Sequence, residues 1–296
     1  MNSVDYKARK KYTVLPYLLI APLGIWLIAT LFIPVINVII ESFEDTTYVG
    51  TKGQNVGLKN YVNVLKDATY WKAWSKSLQW IVGCTILQTL LGFATALLVQ
   101  GNKRIQKIVK NWMIIPWIIP TIVVGIMWQW IFNGSYGILN NVLMNLDIIS
   151  KPLNLIGGKG SMWTLIFINV WHWFPFTAVI LLAGLATIPK ELYESASVDG
   201  ANGIRKFFYI TLPGLKNVTF ALGVVGTLWC FNIFDIIWTL TSGGPLDTTT
   251  TVPIYIYRGA FKNFKIGRTS AASVITSIIL LIFAFAMIKL TKPKEE

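Results

Sequence analysis

Six long stretches of apolar residues punctuate the chain, at 14–40, 77–99, 111–132, 163–186, 218–241 and 269–288. Each reaches the roughly 20 residues that a helix needs to cross the hydrocarbon core of a bilayer. Apolar residues run continuously within them, without the alternation over about ten residues that marks a barrel strand, so helices are predicted. The expected fold class is all-α integral membrane, with six transmembrane helices. Pro16, Pro22, Pro34, Pro116, Pro120 and Pro175 fall inside these spans, where each removes a backbone donor and kinks its helix.

Composition strengthens this reading. Hydrophobic residues make up 54% of the 296 positions and charged residues 13%, against about 25% charged in an ordinary soluble domain. The first run follows Lys7, Arg9, Lys10 and Lys11 and continues uncharged for too long to be a cleaved signal segment, so it is expected to remain as a first span. Cys84 and Cys230 each lie inside an apolar run and read as buried thiols. Neither a disulfide nor a metal site is expected.

The net charge of +13 assigns orientation. The basic residues sit in short segments between spans, with no stripe wide enough to track phosphates, so no nucleic-acid partner is expected. Fifteen Lys and Arg fall in the N-terminal tail, 103–110, 190–216 and beyond 288; eleven fall in the alternate, longer loops. The denser side is the cytoplasmic one. The expected organisation is a cytoplasmic tail at 1–13, a membrane domain at 14–290 with a cytoplasmic loop at 187–217, and a cytoplasmic tail at 291–296.

That loop carries the strongest local signal. Pro189 suits a first helical position, Glu191 complements the positive end of a helix, and Gly200 suits its C-terminal cap. Leu192, Tyr193 and Ala196 share one face. A second short turn gathers Ile204, Phe207 and Phe208 and leaves Arg205 and Lys206 for lipid headgroups. From the residues alone two readings stay open: a helical pair packed on the ends of its own spans, or a docking knob whose small Ser195, Ala196 and Ser197 admit another backbone.

Polar residues at membrane depth mark functional sites by default. Asn169, His172, Trp173 and Phe176 recur at helical spacing in the fourth span; Gly226, Trp229, Cys230 and Ile233 do so in the fifth. Aromatic faces with a few amides suit sugars, which stack their C–H faces and hydrogen-bond through hydroxyls. Trp171 and Trp238 read as packing or interfacial anchors. Asp235 reads as a structural partner of a neighbouring polar group or of another subunit. No G-x-x-x-x-G-K-[ST] loop occurs, and Gly157-Gly158-Lys159-Gly160 has the wrong spacing. ATP hydrolysis is therefore not expected of this chain alone.

Three motifs carry a family resemblance. Glu194, Ala196, Asp199, Gly200, Ala201, Phe207, Ile210, Leu212 and Pro213 resemble the cytoplasmic signature loop of permeases of binding-protein-dependent ABC importers, with Ser195 where alanine is usual. Leu240-Thr241-Ser242-Gly243-Gly244-Pro245 follows span five, and Ile115-Pro116-Trp117-Ile118-Ile119-Pro120 opens span three. Together they are similar to the carbohydrate branch, the maltose and glycerol-phosphate permeases, on the first of two permease subunits.

The resemblance implies a type I importer permease fold with a cytoplasmic coupling helix, in a bacterial or archaeal cytoplasmic membrane. It implies ATPase coupling through Glu191, Tyr193, Glu194, Ala196, Asp199, Gly200 and Ala201. A solute site would be formed by Asn169, His172, Trp173, Phe176, Gly226, Trp229, Cys230 and Ile233. Trp173 stands where the family has glycine, and Cys230 where it has asparagine, which argues against an identical maltooligosaccharide cavity. The implied partners are a second homologous permease, two ATPase subunits that bind the ATP, an external solute-binding protein, a sugar-like solute and the lipid bilayer; no cofactor is implied in the chain itself. The alternative is a secondary transporter or channel driven by an ion gradient, which predicts inverted repeats or paired intramembrane carboxylates.

Overall fold

The computed structural model describes residues 3–100 and 111–291, with side chains over 14–99 and 111–289. The basic cluster Lys103, Arg104, Lys107 and Lys110, the side chains of Lys7, Arg9, Lys10 and Lys11, and the tail 292–296 lie outside the described residues. The described backbone is helical: α1 Ser3–Leu27, α2 Ile33–Glu41, α3 Lys59–Leu65, α4 Ala68–Gln100, α5 Ile115–Ile118, α6 Thr121–Ile131, α7 Ile138–Asn145, α8 Ser161–Leu185, α9 Lys190–Val198, α10 Lys216–Asn232, α11 Asp235–Thr241, α12 Val252–Phe261 and α13 Ile266–Thr291, with short turns between.

Five segments are long and apolar enough to cross a membrane: Val14–Glu41, Ala68–Val99, Ser161–Leu185, Lys216–Thr241 and Ile266–Lys289. The third expected span, 111–132, is not one continuous helix. Its halves, Asn111–Ile118 and Thr121–Ile131, meet at 95°, because Pro120 has no N–H to continue the ladder and holds Ile119 extended at ψ 130. Counted as one bent crossing, the pair completes six. Span five is also interrupted: α10 stops where Ile233 turns extended at ψ 114, and α11 restarts at Asp235. Two π-helical turns, Ile28–Phe32 and Phe207–Thr211, each end just before a proline, Pro34 and Pro213. The wider turn relieves the clash between a proline ring and the carbonyl four residues earlier.

The chain divides into two compact units, Met1–Asp67 with Ile256–Ile278, and Ala68–Tyr255 with Ile279–Glu296. In the second, α4 and α8 pack face to face through small residues. A Cβ on Gly83 would stand 2.7 Å from Ile166 Cδ1, and one on Gly92 would stand 2.9 Å from Thr177 Cγ2 and 3.3 Å from the Ala178 nitrogen. Glycine here lets two backbones approach, the usual way to gain van der Waals contact where lipid supplies no hydrophobic drive. Toward one end of these helices, Ala96, Val99, Leu181, Leu182, Leu185, Ile188 and Leu215 form a buried cluster.

The first unit is organised around a polar clasp. Asn60 donates to the carbonyls of Ser42 (3.1 Å) and Glu44 (2.9 Å), and the Gly267 N–H donates to the Thr46 carbonyl at 2.9 Å. Arg268 pairs with Asp67 at 2.7 Å. A side chain at Gly267 would drive its Cβ into the Glu44 carbonyl. Gly267→Ala is therefore expected to lower stability by about 1–3 kcal/mol, read as a lower unfolding temperature in detergent. Gly134→Ala, with open space around it, should leave that temperature unchanged.

Candidate functional site

Within the second unit, α4, α8, α10 and the interrupted end of span five line a cavity of about 660 Å³. Its aromatic lining is Trp173 and Phe176 from α8, Trp229 from α10 and Phe234 just beyond it. Trp229 lies 5.9 Å from Trp173 and 5.7 Å from Phe176, centroid to centroid, and Trp117 stacks on Phe176 at 5.4 Å. Trp229 is half exposed. A Cβ on Gly226 would meet nothing within 4 Å; this glycine opens the wall beside Trp229. Cys230 and Ile233 complete the expected set on this side.

Two of the eight expected residues are directed elsewhere. Asn169 is wholly buried and its Nδ2 donates to Cys84 Sγ at 3.2 Å. His172 is 2% exposed, and its Nδ1 lies 2.7 Å from the Pro116 carbonyl. Neither lines the cavity. Residues 172 and 173 are successive on one helix, about 100° apart around its axis; His172 is turned to the Pro116 carbonyl while Trp173 lines the cavity.

His172 has a definite structural task. A continuous helix would pair the Pro116 carbonyl with the N–H of residue 120, but residue 120 is proline. His172 Nδ1 supplies the missing hydrogen, which fixes its tautomer. Span five uses Trp80 in a similar way: its indole N–H donates to the Cys230 carbonyl at 2.9 Å, a group to which the end of α10 at Asn232 leaves only the Ile233 N–H, at 3.3 Å. Trp80 is 1% exposed, and nothing in its apolar run announced the role.

The two cysteines are free thiols, both buried, and that of Cys84 interacts with that of Cys230. Trp171 packs edge-on against Trp128 at 5.4 Å, and Trp238 stacks on Phe234 at 5.5 Å, as their packing role predicts. Asp235, expected as a structural partner, opens α11 and lines the cavity. The sequence reading also missed Thr85, Gln88 and Thr89 of α4, which line it too. Their i, i+3, i+4 spacing within an apolar helix was the available signal.

The Gly-Gly-Pro motif folds as a knot of hydroxyls. Thr250 Oγ1 donates to the Gly243 carbonyl and Thr249 Oγ1 to that of Gly244, both at 2.9 Å, and Thr241 and Thr249 join their hydroxyls at 2.7 Å. Ser242 and Gly243 adopt positive φ, 48° and 92°. The Val252 N–H then reaches Ser77 on α4 at 2.9 Å.

On the loop 187–217, α9 begins at Lys190 with Pro189 as its N-cap, one position earlier in role than the sequence reading had it; φ −58, ψ 134 is an extended proline that ends the preceding segment. The C-terminus is a Schellman cap: Gly200 N–H donates to Ser197 O (3.1 Å) and Ala201 N–H to Ala196 O (2.8 Å), with Gly200 at φ +76°. Asn202 caps the next turn by accepting from Arg205 N–H at 2.9 Å. Tyr193 turns inward, packing on the buried cluster of α4 and α8 and bonding Thr211 Oγ1 at 3.0 Å. Glu191, Leu192, Glu194, Ser195, Val198 and Asp199 face outward, with Val198 89% exposed. Lys206 is not left for headgroups: its Nζ donates to Ser197 Oγ at 2.6 Å. The helix is thus anchored by one face and bare on the other.

Comparison with known proteins agrees with this architecture. The model of the family described as "Binding-protein-dependent transport system inner membrane component" matches residues 88–294. The chain is 32% identical over 300 residues to the trehalose/maltose transport system permease protein MalF of Thermococcus litoralis, covering 100% of this chain and 99% of that protein. It is 33% identical over 273 residues to the sn-glycerol-3-phosphate transport system permease protein UgpA of Agrobacterium fabrum, covering 90% and 91%. In structure it resembles a chain of a bacterial ABC transporter involved in the import of the acidic polysaccharide alginate, with a TM-score of 0.85, 21% identity and coverage of 98% and 99%.

The carbonyl–side chain bonds make a prediction. His172→Phe leaves the buried Pro116 carbonyl unpaired and should cost about 1–3 kcal/mol, whereas Trp80→Phe removes one of two donors to the Cys230 carbonyl, which keeps the Ile233 N–H at 3.3 Å, and should cost about 0.5–1.5 kcal/mol; both are seen as earlier unfolding in detergent. Trp171→Phe, which changes ring packing against Trp128 and takes no donor from a carbonyl, should cost less than either.

Proposed function

The chain belongs to the family of binding-protein-dependent transport system inner membrane components, and on that premise we propose that it forms one half of the pathway by which an ATP-driven importer carries a neutral, sugar-like solute. The observation that carries the solute class is the cavity: indole and phenyl faces of Trp173, Phe176 and Trp229 beside the amides and hydroxyls of Thr85, Gln88 and Asn232. Sugars pair apolar ring faces with hydroxyls that need a few oriented partners, and this lining offers both. Gly226, Cys230 and Ile233 shape the space around them. One relative is named for trehalose and maltose, which fall in this class; Trp173 makes the pocket one for a small solute rather than a long oligosaccharide.

In this reading a second homologous permease completes the pathway, and an external binding protein delivers the solute. Two ATPase subunits receive the exposed face of α9. Glu191, Glu194 and Asp199 make the charged contacts there, Ala196 and Ala201 allow close approach, and Gly200 fixes the turn that ends the helix. Tyr193 carries the motion inward, since its ring packs on the buried cluster at the ends of α4 and α8. The interruptions at 119–120 and 233–234 let half-helices re-aim while the long helices move as bodies. Both termini lie in the cytoplasm, on the side of the denser basic segments.

Two experiments test this. Trp229→Ala should reduce ATP-dependent uptake of trehalose or maltose into proteoliposomes at least tenfold while leaving the complex intact; undiminished uptake of both sugars refutes the stacking site. Gly200→Val places a β-branched residue at φ +76°, a strain of about 1–2 kcal/mol. It should uncouple ATPase activity from the presence of loaded binding protein, and unchanged stimulation counts against α9 as the coupling element.

A further inference from the structure

The cavity has a second wall that the aromatic reading does not use. Thr85, Gln88 and Thr89 stand at i, i+3 and i+4 on α4 and line the same space as Trp173 and Trp229. Gln88 is 8% exposed, and its Nε2 is buried without a hydrogen-bond partner. An amide nitrogen stripped of water at membrane depth is costly unless a partner arrives. Among the described residues, the cavity lining contains Asp235 and no lysine, arginine or histidine, so an anionic ligand would meet a carboxylate with no counter-charge beside it.

We propose that Gln88 is the specificity-determining residue of this chain's solute site, donating its amide N–H to a hydroxyl oxygen of an uncharged polyol or sugar, with Thr85 and Thr89 as flanking hydroxyl contacts. This rests on the carbohydrate reading of the cavity and names the group that the α4 wall reads. A site that hydrogen-bonds one hydroxyl rejects the analogue lacking it, because the buried donor is then left empty. Loss of one such bond corresponds to roughly tenfold in discrimination.

The test uses the complete importer, with both permeases, its ATPases and its binding protein, in proteoliposomes. ATP-dependent uptake of trehalose, maltose and sucrose is measured first, then that of the monodeoxy analogues of whichever sugar enters, for the native assembly and for Gln88→Met, nearly isosteric, and Gln88→Leu. The binding protein is common to all assemblies, so a change in the parent-to-analogue ratio belongs to the permease. The expected result is that one monodeoxy analogue is disfavoured about tenfold by the native assembly and by neither variant, with the second permease still co-purifying and glycerol 3-phosphate failing to compete in any assembly. Native discrimination retained in both variants overturns the inference and leaves the carbohydrate site standing. Loss of the second permease in both variants overturns it also, because Gln88 is then a subunit contact. Uptake of none of the three sugars by the native assembly overturns the carbohydrate reading and this inference together.

Discussion

A backbone that breaks its helix at membrane depth must find other partners for the groups it frees, since hydrocarbon offers none. Among the described residues the spans break at 119–120 and at 233–234, and each time a side chain from a neighbouring long helix answers. His172 on α8 serves the Pro116 carbonyl, and Trp80 on α4 serves that of Cys230. The two long helices are in turn held together by Gly83 and Gly92, where a larger residue would force them apart. The interruptions are thus supported by the most tightly packed pair in the unit.

The cavity follows from that arrangement. Because α10 ends at Asn232, Ile233 and Phe234 swing away from the helix and Asp235 starts a new one, all beside the space that Trp173 and Trp229 line. A continuous helix through 216–241 would have carried these residues around its own axis and presented them to other neighbours. The bent pair α5 and α6 likewise brings Trp117 flat onto Phe176, which orients the aromatic wall from behind. The loop 187–217 joins this same body through Tyr193, so the bare face of α9 and the wall of the cavity belong to one packed unit.

Much of this was legible in the sequence, for reasons that differ by feature. The spans were plain because length and apolarity are one-dimensional properties. Gly200 was plain because only glycine adopts φ +76° without strain, and it stands where a helix must end. The split of Asn169 and His172 from Trp173 and Phe176 was not legible: periodicity says which residues share a face, and it does not say whether that face meets a cavity or another helix. The gap at Ile233 was also hidden, since no proline or glycine marks it. Trp80 was invisible as a donor because its acceptor lies 150 residues away, and Lys206 looked free because Ser197 is brought to it only by the turn at Gly200.

The bond from Trp80 to Cys230 constrains how the wall can travel. The indole hydrogen of a helix-interior tryptophan ends on the carbonyl where α10 stops, so α4 and α10 are pinned to each other at one point. Any slide of one helix along the other must first break that bond and find the buried hydrogen another acceptor.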